Sequence, residues 1–266
     1  MRSSEFVVLV YLAYIVGLVW LWPISVRRRV SVTAVALADA AAVLWLSTAR
    51  GEVWRVARDW MPGLHLVIGY WLSGVFFVAP SAALEARLAG LDDIVFTRLG
   101  LGRLATAGPR WLLEYLELSY LAVYPFVPLG FAVVFWGAPP GARDGFWTQV
   151  LLAGFICYGL HPWLQCRPPL SLGVHTAITT RRLTVRRLNL AILGRASVQA
   201  NTVPSGHAAT SAVIALSAGA LVPGAMLPLS IVAASIAVAS VVGRYHYAFD
   251  SVAGVLLAVV IWMTIG

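Results

Sequence analysis

Two histidines, two arginines and a carboxylate stand in three short segments of this 266-residue chain. The segments are Cys166-Arg167-Pro168-Pro169, Pro204-Ser205-Gly206-His207 and Arg244-Tyr245-His246-Tyr247-Ala248-Phe249-Asp250. Their chemistry is that of phosphate. Arginine offers planar, bidentate donors that stay charged at any working pH, so Arg167 and Arg244 are candidate phosphate ligands. Pro204-Ser205-Gly206 reads as the lead-in to a helix whose first N–H groups are free for an oxyanion. Gly206 lets the backbone come close, and the Ser205 hydroxyl adds a donor. His246 and Asp250 are spaced i, i+4, which on a helix puts both on one face. The carboxylate can hold one imidazole nitrogen protonated and leave the other as a nucleophile. His207 is then free to act as general acid on a leaving oxygen. These groups form a phosphoryl-transfer site that calls for no metal and no cofactor.

The elements that must position them are set by composition. Sixty per cent of the residues are hydrophobic, 11% are charged, and the mean hydropathy is +0.84. A soluble fold of this size lacks the polar residues to cover such a core. Disordered, collagenous, coiled-coil and disulfide-scaffold classes are excluded on the same composition. The reading is an all-α, polytopic membrane bundle. Apolar runs at 6–24, 30–48, 63–80, 111–136, 146–165, 206–222, 224–243 and 251–266 predict about eight helices. The division expected is 1–110, membrane helices plus an interfacial segment, and 111–266, a catalytic bundle with a four-helix core.

Two connections are polar. Residues 81–110 mix Glu85, Arg87, Asp92, Asp93, Arg98 and Arg103 with apolar residues, as amphipathic pieces along the interface do. Residues 166–205 carry Arg181, Arg182, Arg186, Arg187 and Arg195, and this loop is a candidate lid. Counting spans puts both connections and all three polar segments on one face. That face holds 14 of the 19 arginines, and no lysine occurs anywhere. The positive-inside rule would place that face in the cytoplasm, but arginines that bind phosphate inflate the same count, so the arginine count leaves the side open. The expected partners are a lipid phosphate and membrane lipids, not nucleic acid. His161 and His175 read as headgroup-level polar residues. Glu114, Glu117, Tyr120 and Tyr124 share one helix and face the bundle interior, as either substrate contacts or helix–helix hydrogen bonds. Asp39 reads the same way, and most of the eleven tryptophans as interfacial anchors. Cys157 and Cys166 give neither metal-ligand spacing nor a disulfide framework.

The three segments resemble the membrane-bound type 2 phosphatidic acid phosphatase superfamily. Its pattern is an Arg-Pro pair, then Pro-Ser-Gly-His, then an arginine followed by His-x-x-x-Asp. The resemblance covers about 146–266. It implies a covalent phosphohistidine on His246 supported by Asp250, His207 as acid, and a phosphate cradle of Arg167, Ser205, Gly206 and Arg244. Two departures stand out. The lysine that the broad family carries seven residues before its first arginine is here Leu160. The third arginine usually lies six before the nucleophilic histidine, where this chain has Ser240; Arg244 lies two before His246. That arrangement looks closer to the inositol phosphorylceramide synthase branch, whereas Pro-Ser-Gly-His looks like the hydrolases. The expectation is a metal-independent lipid phosphatase, with a lipid phosphotransferase as the alternative and a non-enzymatic membrane protein as the second.

Overall fold

The computed structural model describes residues 1–173 and 182–266. Eleven α-helices occur among the described residues: α1 (Ser3–Leu21), α2 (Val26–Thr48), α3 (Glu52–Gly74), α4 (Ala82–Asp93), α5 (Leu101–Ala107), α6 (Arg110–Gly137), α7 (Ala142–Leu160), α8 (Thr184–Ala196), α9 (Gly206–Leu221), α10 (Met226–Val242) and α11 (Ala248–Ile265). A π-helical turn, Ile94–Arg98, links α4 to α5. Extended structure among the described residues is a single antiparallel bridge, Cys166 to Asn201. Each of the eight apolar runs overlaps one helix, and α4, α5 and α8 come from the two polar connections. Five segments are long and apolar enough to cross a membrane: α1, α2, α6, α11 and Pro223–Val242, which includes α10. The fold is a helical membrane bundle.

Helix α9 sits at its centre, packed by α6, α7, α10 and α11. It is short and rich in small residues, with Ala208, Ala209, Ser211, Ala215, Ala218 and Gly219 all buried. Small side chains let neighbouring helices approach closely, which is how packing substitutes for hydrophobic force in lipid. Helices α1 and α3 pack on α7, and α2 packs on α1 and α3.

Helix α3 departs from the run that predicts it. It begins at Glu52 rather than near residue 63 and takes Arg58 and Asp59 into the bundle. Buried charge is costly unless paired, and here every charge has a partner. Arg2 and Arg143 each reach Asp59 at 2.7 Å. Arg58 grips Glu5 through Nε and Nη2. Asp39 is buried against His65, its carboxylate 2.7 Å from the ring Nδ1, so it joins α2 to α3. Trp147 is core rather than anchor: it is 1% exposed and donates to the Asp59 carbonyl at 2.7 Å.

Candidate active site

Helix α10 ends at Val242, and five residues turn the chain into α11. The turn is built on the Ser240 carbonyl, which accepts from both the Tyr245 and His246 N–H groups at 2.9 Å. Arg244 takes a left-handed conformation at φ +64°. A non-glycine residue there stays only when its surroundings hold it. His246 therefore stands in the turn, and Asp250 in the first turn of α11. The i, i+4 spacing works across the helix start rather than along one helix. His246 Nδ1 lies 3.0 Å from Asp250 Oδ2. An ionised carboxylate only accepts, so Nδ1 carries the proton and Nε2 keeps its lone pair. Asn201 Nδ2 donates to the same Asp250 oxygen at 2.6 Å, and the Ser205 N–H donates to the Asp250 carbonyl at 2.9 Å. Those two bonds tie the second and third segments together.

The Pro-Ser-Gly-His segment forms the start of α9. Ser205 is the N-cap, its hydroxyl accepting from the Ala208 N–H at 3.3 Å. The Gly206 N–H is already given to Thr202 Oγ1 at 3.0 Å. Two of the first three amides of α9 are thus occupied within the chain, not free as the segment suggests. A Cβ on Gly206 would lie 2.9 Å from the Tyr158 ring, so glycine lets that ring close on the helix start. Helix α11 crosses the same point at Gly254, where a Cβ would meet the Ser205 carbonyl oxygen at 2.6 Å. His207 stacks on Tyr120 (5.2 Å between centroids, 6° between planes), with Tyr124 edge-on. The His207 and His246 rings stand 5.4 Å apart.

Both arginines are held by carboxylates of α4. Arg167 donates to Glu85 from Nε (2.9 Å), Nη2 (2.7 Å) and its own N–H (2.9 Å). Its side chain is 46% exposed. Arg244 is fully buried, donates to Asp92 from Nη1 at 2.5 Å, and lies over the Phe96 ring. Its Nε and Nη2 have no hydrogen-bond partner among the described residues. The hydrogen bonds from Arg167 hold the Glu85 carboxyl below the usual glutamate range, against the opposing effect of burial. Burial pushes the Asp92 carboxyl up, against the hydrogen bond from the Ala248 N–H and the charge of Arg244. Residues 81–110 therefore lie against the same end of the bundle as all three segments.

The two histidines open on a cavity of about 730 Å³. Gly206, His207 and His246 line it, while Arg167, Ser205, Arg244 and Asp250 do not. The far wall is apolar: Trp60, Leu64, Val67 and Trp71 of α3 face Val127 and Pro128 of α6. Tyr120 and Tyr124 line it too. Glu114 and Glu117 make helix contacts instead. Glu114 caps α8 by accepting from the Thr184 and Val185 N–H groups. Glu117 accepts from Arg186, Asn189 and Tyr245. His161 is buried and contacts the Ser73 carbonyl through Nδ1 at 3.1 Å, below the headgroup-level exposure expected of it. His175 and Arg181 lie outside the described residues. Among the described residues, no three His, Cys, Asp or Glu side chains cluster so as to hold a metal ion.

The residues that sequence reasoning missed are Glu85, Asp92, Asn201 and Thr202. The first two carry a signal: they are seven apart, two turns of a helix, so they share one face of an amphipathic segment. Asn201 and Thr202 carry none, because their partners lie in other segments.

No curated protein and no solved structure matches this chain. A family model described as PAP2 superfamily matches residues 98–264. With more than half of its length matched, and with the histidines and carboxylate of the family pattern assembled at one end of a helical bundle, the chain belongs to the PAP2 superfamily of phosphoesterases and phosphotransferases.

Proposed function

We propose that the protein is a membrane lipid phosphatase working through a phosphohistidine, without a metal. The observation that carries this is the pair of histidines, 5.4 Å apart, on the wall of a largely apolar cavity, one of them bound to a carboxylate through Nδ1. His246 Nε2 attacks phosphorus, and an N–P bond forms as the P–O bond to the lipid breaks. His207 gives its proton to the leaving oxygen. Water then attacks the phosphohistidine, His207 takes the water proton, and the N–P bond breaks to release phosphate. Gly206 lines the cavity beside His207 at the start of α9. Arg167 adjoins the cavity at Pro168, which lines it, and keeps Nη1, outside its Glu85 hydrogen bonds, for the phosphate, while Ser205 and Arg244 act from behind the wall through their polarity and charge.

The apolar wall supports a lipid as substrate. From Trp60 to Trp71, α3 rises about 16 Å at ~1.5 Å per residue. That is about half the ~30 Å hydrocarbon core, the depth of one leaflet. Labelled lipid phosphate, quenched during turnover, should leave acid-labile, base-stable label on wild type and none on His246→Ala. Label retained on His246→Ala would end this assignment of the nucleophile. Loss of turnover in chelator, restored by one divalent ion, would replace the mechanism with a metal-dependent one.

A second reading is transfer of the phospho-headgroup to a lipid or polyol hydroxyl. It is favoured by the same apolar lining, since a site that excludes water lets a positioned hydroxyl win. Adding inositol, glycerol or ceramide to the assay separates the two. New phospholipid with negligible free phosphate selects transfer and leaves the residue roles in place.

A further inference from the structure

Helix α4 lies outside the matched family region, yet it touches all of the polar segments. Its buried residues are Glu85, Leu88 and Asp92, spaced along one face. Glu85 binds the backbone and the guanidinium of Arg167. Leu88 packs in a cluster with Cys166, Val203 and Tyr247, one neighbour from each segment or its flank. Asp92 splits its two oxygens: Oδ2 takes Arg244, and Oδ1 takes the Ala248 N–H at 2.7 Å. Ala248 is the first residue of α11, two after His246 and two before Asp250. The Ser81 N–H donates to the Gln165 carbonyl at 2.8 Å. Gln165 Oε1 in turn accepts from the Val78 and Ala79 N–H groups, so the start of α4 is stitched beside Arg167.

We propose that α4 is a positioning strap for the active site, with Glu85 orienting Arg167 and Asp92 orienting both Arg244 and the turn that presents His246. The physical need is clear at each end. Arg167 is half exposed, and an arginine side chain free to sample rotamers would lose entropy on every binding event. Glu85 fixes that side chain beforehand through two of its nitrogens and leaves Nη1. Arg244 is fully buried, where an unpaired charge costs several kcal/mol; Asp92 supplies the countercharge and ties it to the first amide of α11. Both residues act through another group, so neither is catalytic.

This inference rests on the proposed phosphatase reading for its kinetic part, so the experiment has one arm that does not. The first arm is arginine-specific labelling of the purified full-length protein with phenylglyoxal, read at Arg167 by mass spectrometry. Glu85→Gln should raise the Arg167 labelling rate severalfold, whereas Arg87→Gln on the exposed face of α4 should leave it unchanged. An unchanged rate in Glu85→Gln overturns the strap whatever the protein's activity. The second arm is a double-mutant cycle on lipid phosphate turnover. Glu85→Gln should raise KM about ten- to a hundredfold, the penalty of a misplaced binding group. In an Arg167→Ala background it should add nothing further. An equal effect of Glu85→Gln with and without Arg167 overturns the strap. Asp92→Asn, which keeps an acceptor for Ala248, should lower kcat more than it raises KM. A melting temperature for each variant identifies loss of fold. A wild type that labels as expected but turns over no lipid phosphate refutes the phosphatase reading and leaves the strap standing.

Discussion

Asp250→Asn tests the catalytic geometry most sharply. Asp250 Oδ2 receives two donors, His246 Nδ1 at 3.0 Å and Asn201 Nδ2 at 2.6 Å. Oδ1 is buried with no hydrogen-bond partner among the described residues. An asparagine would place its oxygen where Oδ2 stands, because both facing groups are donors, and its NH2 where Oδ1 stands. His246 then keeps its tautomer, and only the negative charge is lost. A full charge on the imidazole about 4 Å from that carboxylate is worth roughly 4 kcal/mol at an effective dielectric near 20. The transition state for N–P bond formation carries part of this charge. The expected loss in kcat is therefore about 10²–10³-fold, since each ~1.36 kcal/mol is tenfold. Asp250→Ala also strips the acceptor from both donors and frees the imidazole tautomer, so it should fall well below the asparagine variant. The assay is single-turnover release of labelled phosphate from a lipid phosphate in detergent micelles, with melting temperature as the fold control. An Asp250→Asn enzyme within tenfold of wild type would refute the reasoning and mean that the negative charge of Asp250 does not stabilise the charge developing on His246.

Arg167→Lys keeps a charge but cannot span both Glu85 oxygens with a planar fork, so it should remain strongly impaired in kcat/KM; wild-type kinetics would show that charge alone suffices. Orthovanadate should inhibit wild type as a mimic of pentacoordinate phosphorus, and turnover should survive chelator. Gly254→Ala places a methyl 2.6 Å from the Ser205 carbonyl oxygen. It should cost about 1–3 kcal/mol of stability through overpacking, read as a lower melting temperature. The Glu85 carboxyl is held below its ordinary range by Arg167. Its contribution is therefore full above the unfolded value near 4.3 and is lost as pH falls through the lower folded value. The melting-temperature difference between wild type and Glu85→Gln should stay constant from about pH 8 to pH 5 and vanish only below that range. A difference that disappears near neutral pH would contradict the pairing.

What was legible in the amino-acid order was the local chemistry and the sum of local hydrophobicity. Eight apolar runs became eight helices, five of them in segments long and apolar enough to cross a membrane, because a backbone in an apolar surround must satisfy its own hydrogen bonds. The length and polarity of a run therefore suffice to announce a helix. His207, His246 and Asp250 were legible as candidates because ionisable residues are scarce in an apolar chain and these three stand in short polar segments where apolar runs meet loops. The start of α3 was not legible. Arg58 and Asp59 look like the end of a membrane run until Glu5 of α1, Arg2 just before it and Arg143 of α7 neutralise them. Only the tertiary structure decided which groups would hold the site. Glu85 and Asp92 read as solvated charges on an interfacial helix, yet both are buried on arginines 82 and 152 residues away. Asn201 reads as a loop residue, yet it shares the Asp250 oxygen with His246. A sequence lists donors and acceptors one strand of chain at a time. Which donor meets which acceptor depends on how the helices cross, and that is set by the small residues along α9 and by Gly254, through close approaches that no local pattern encodes.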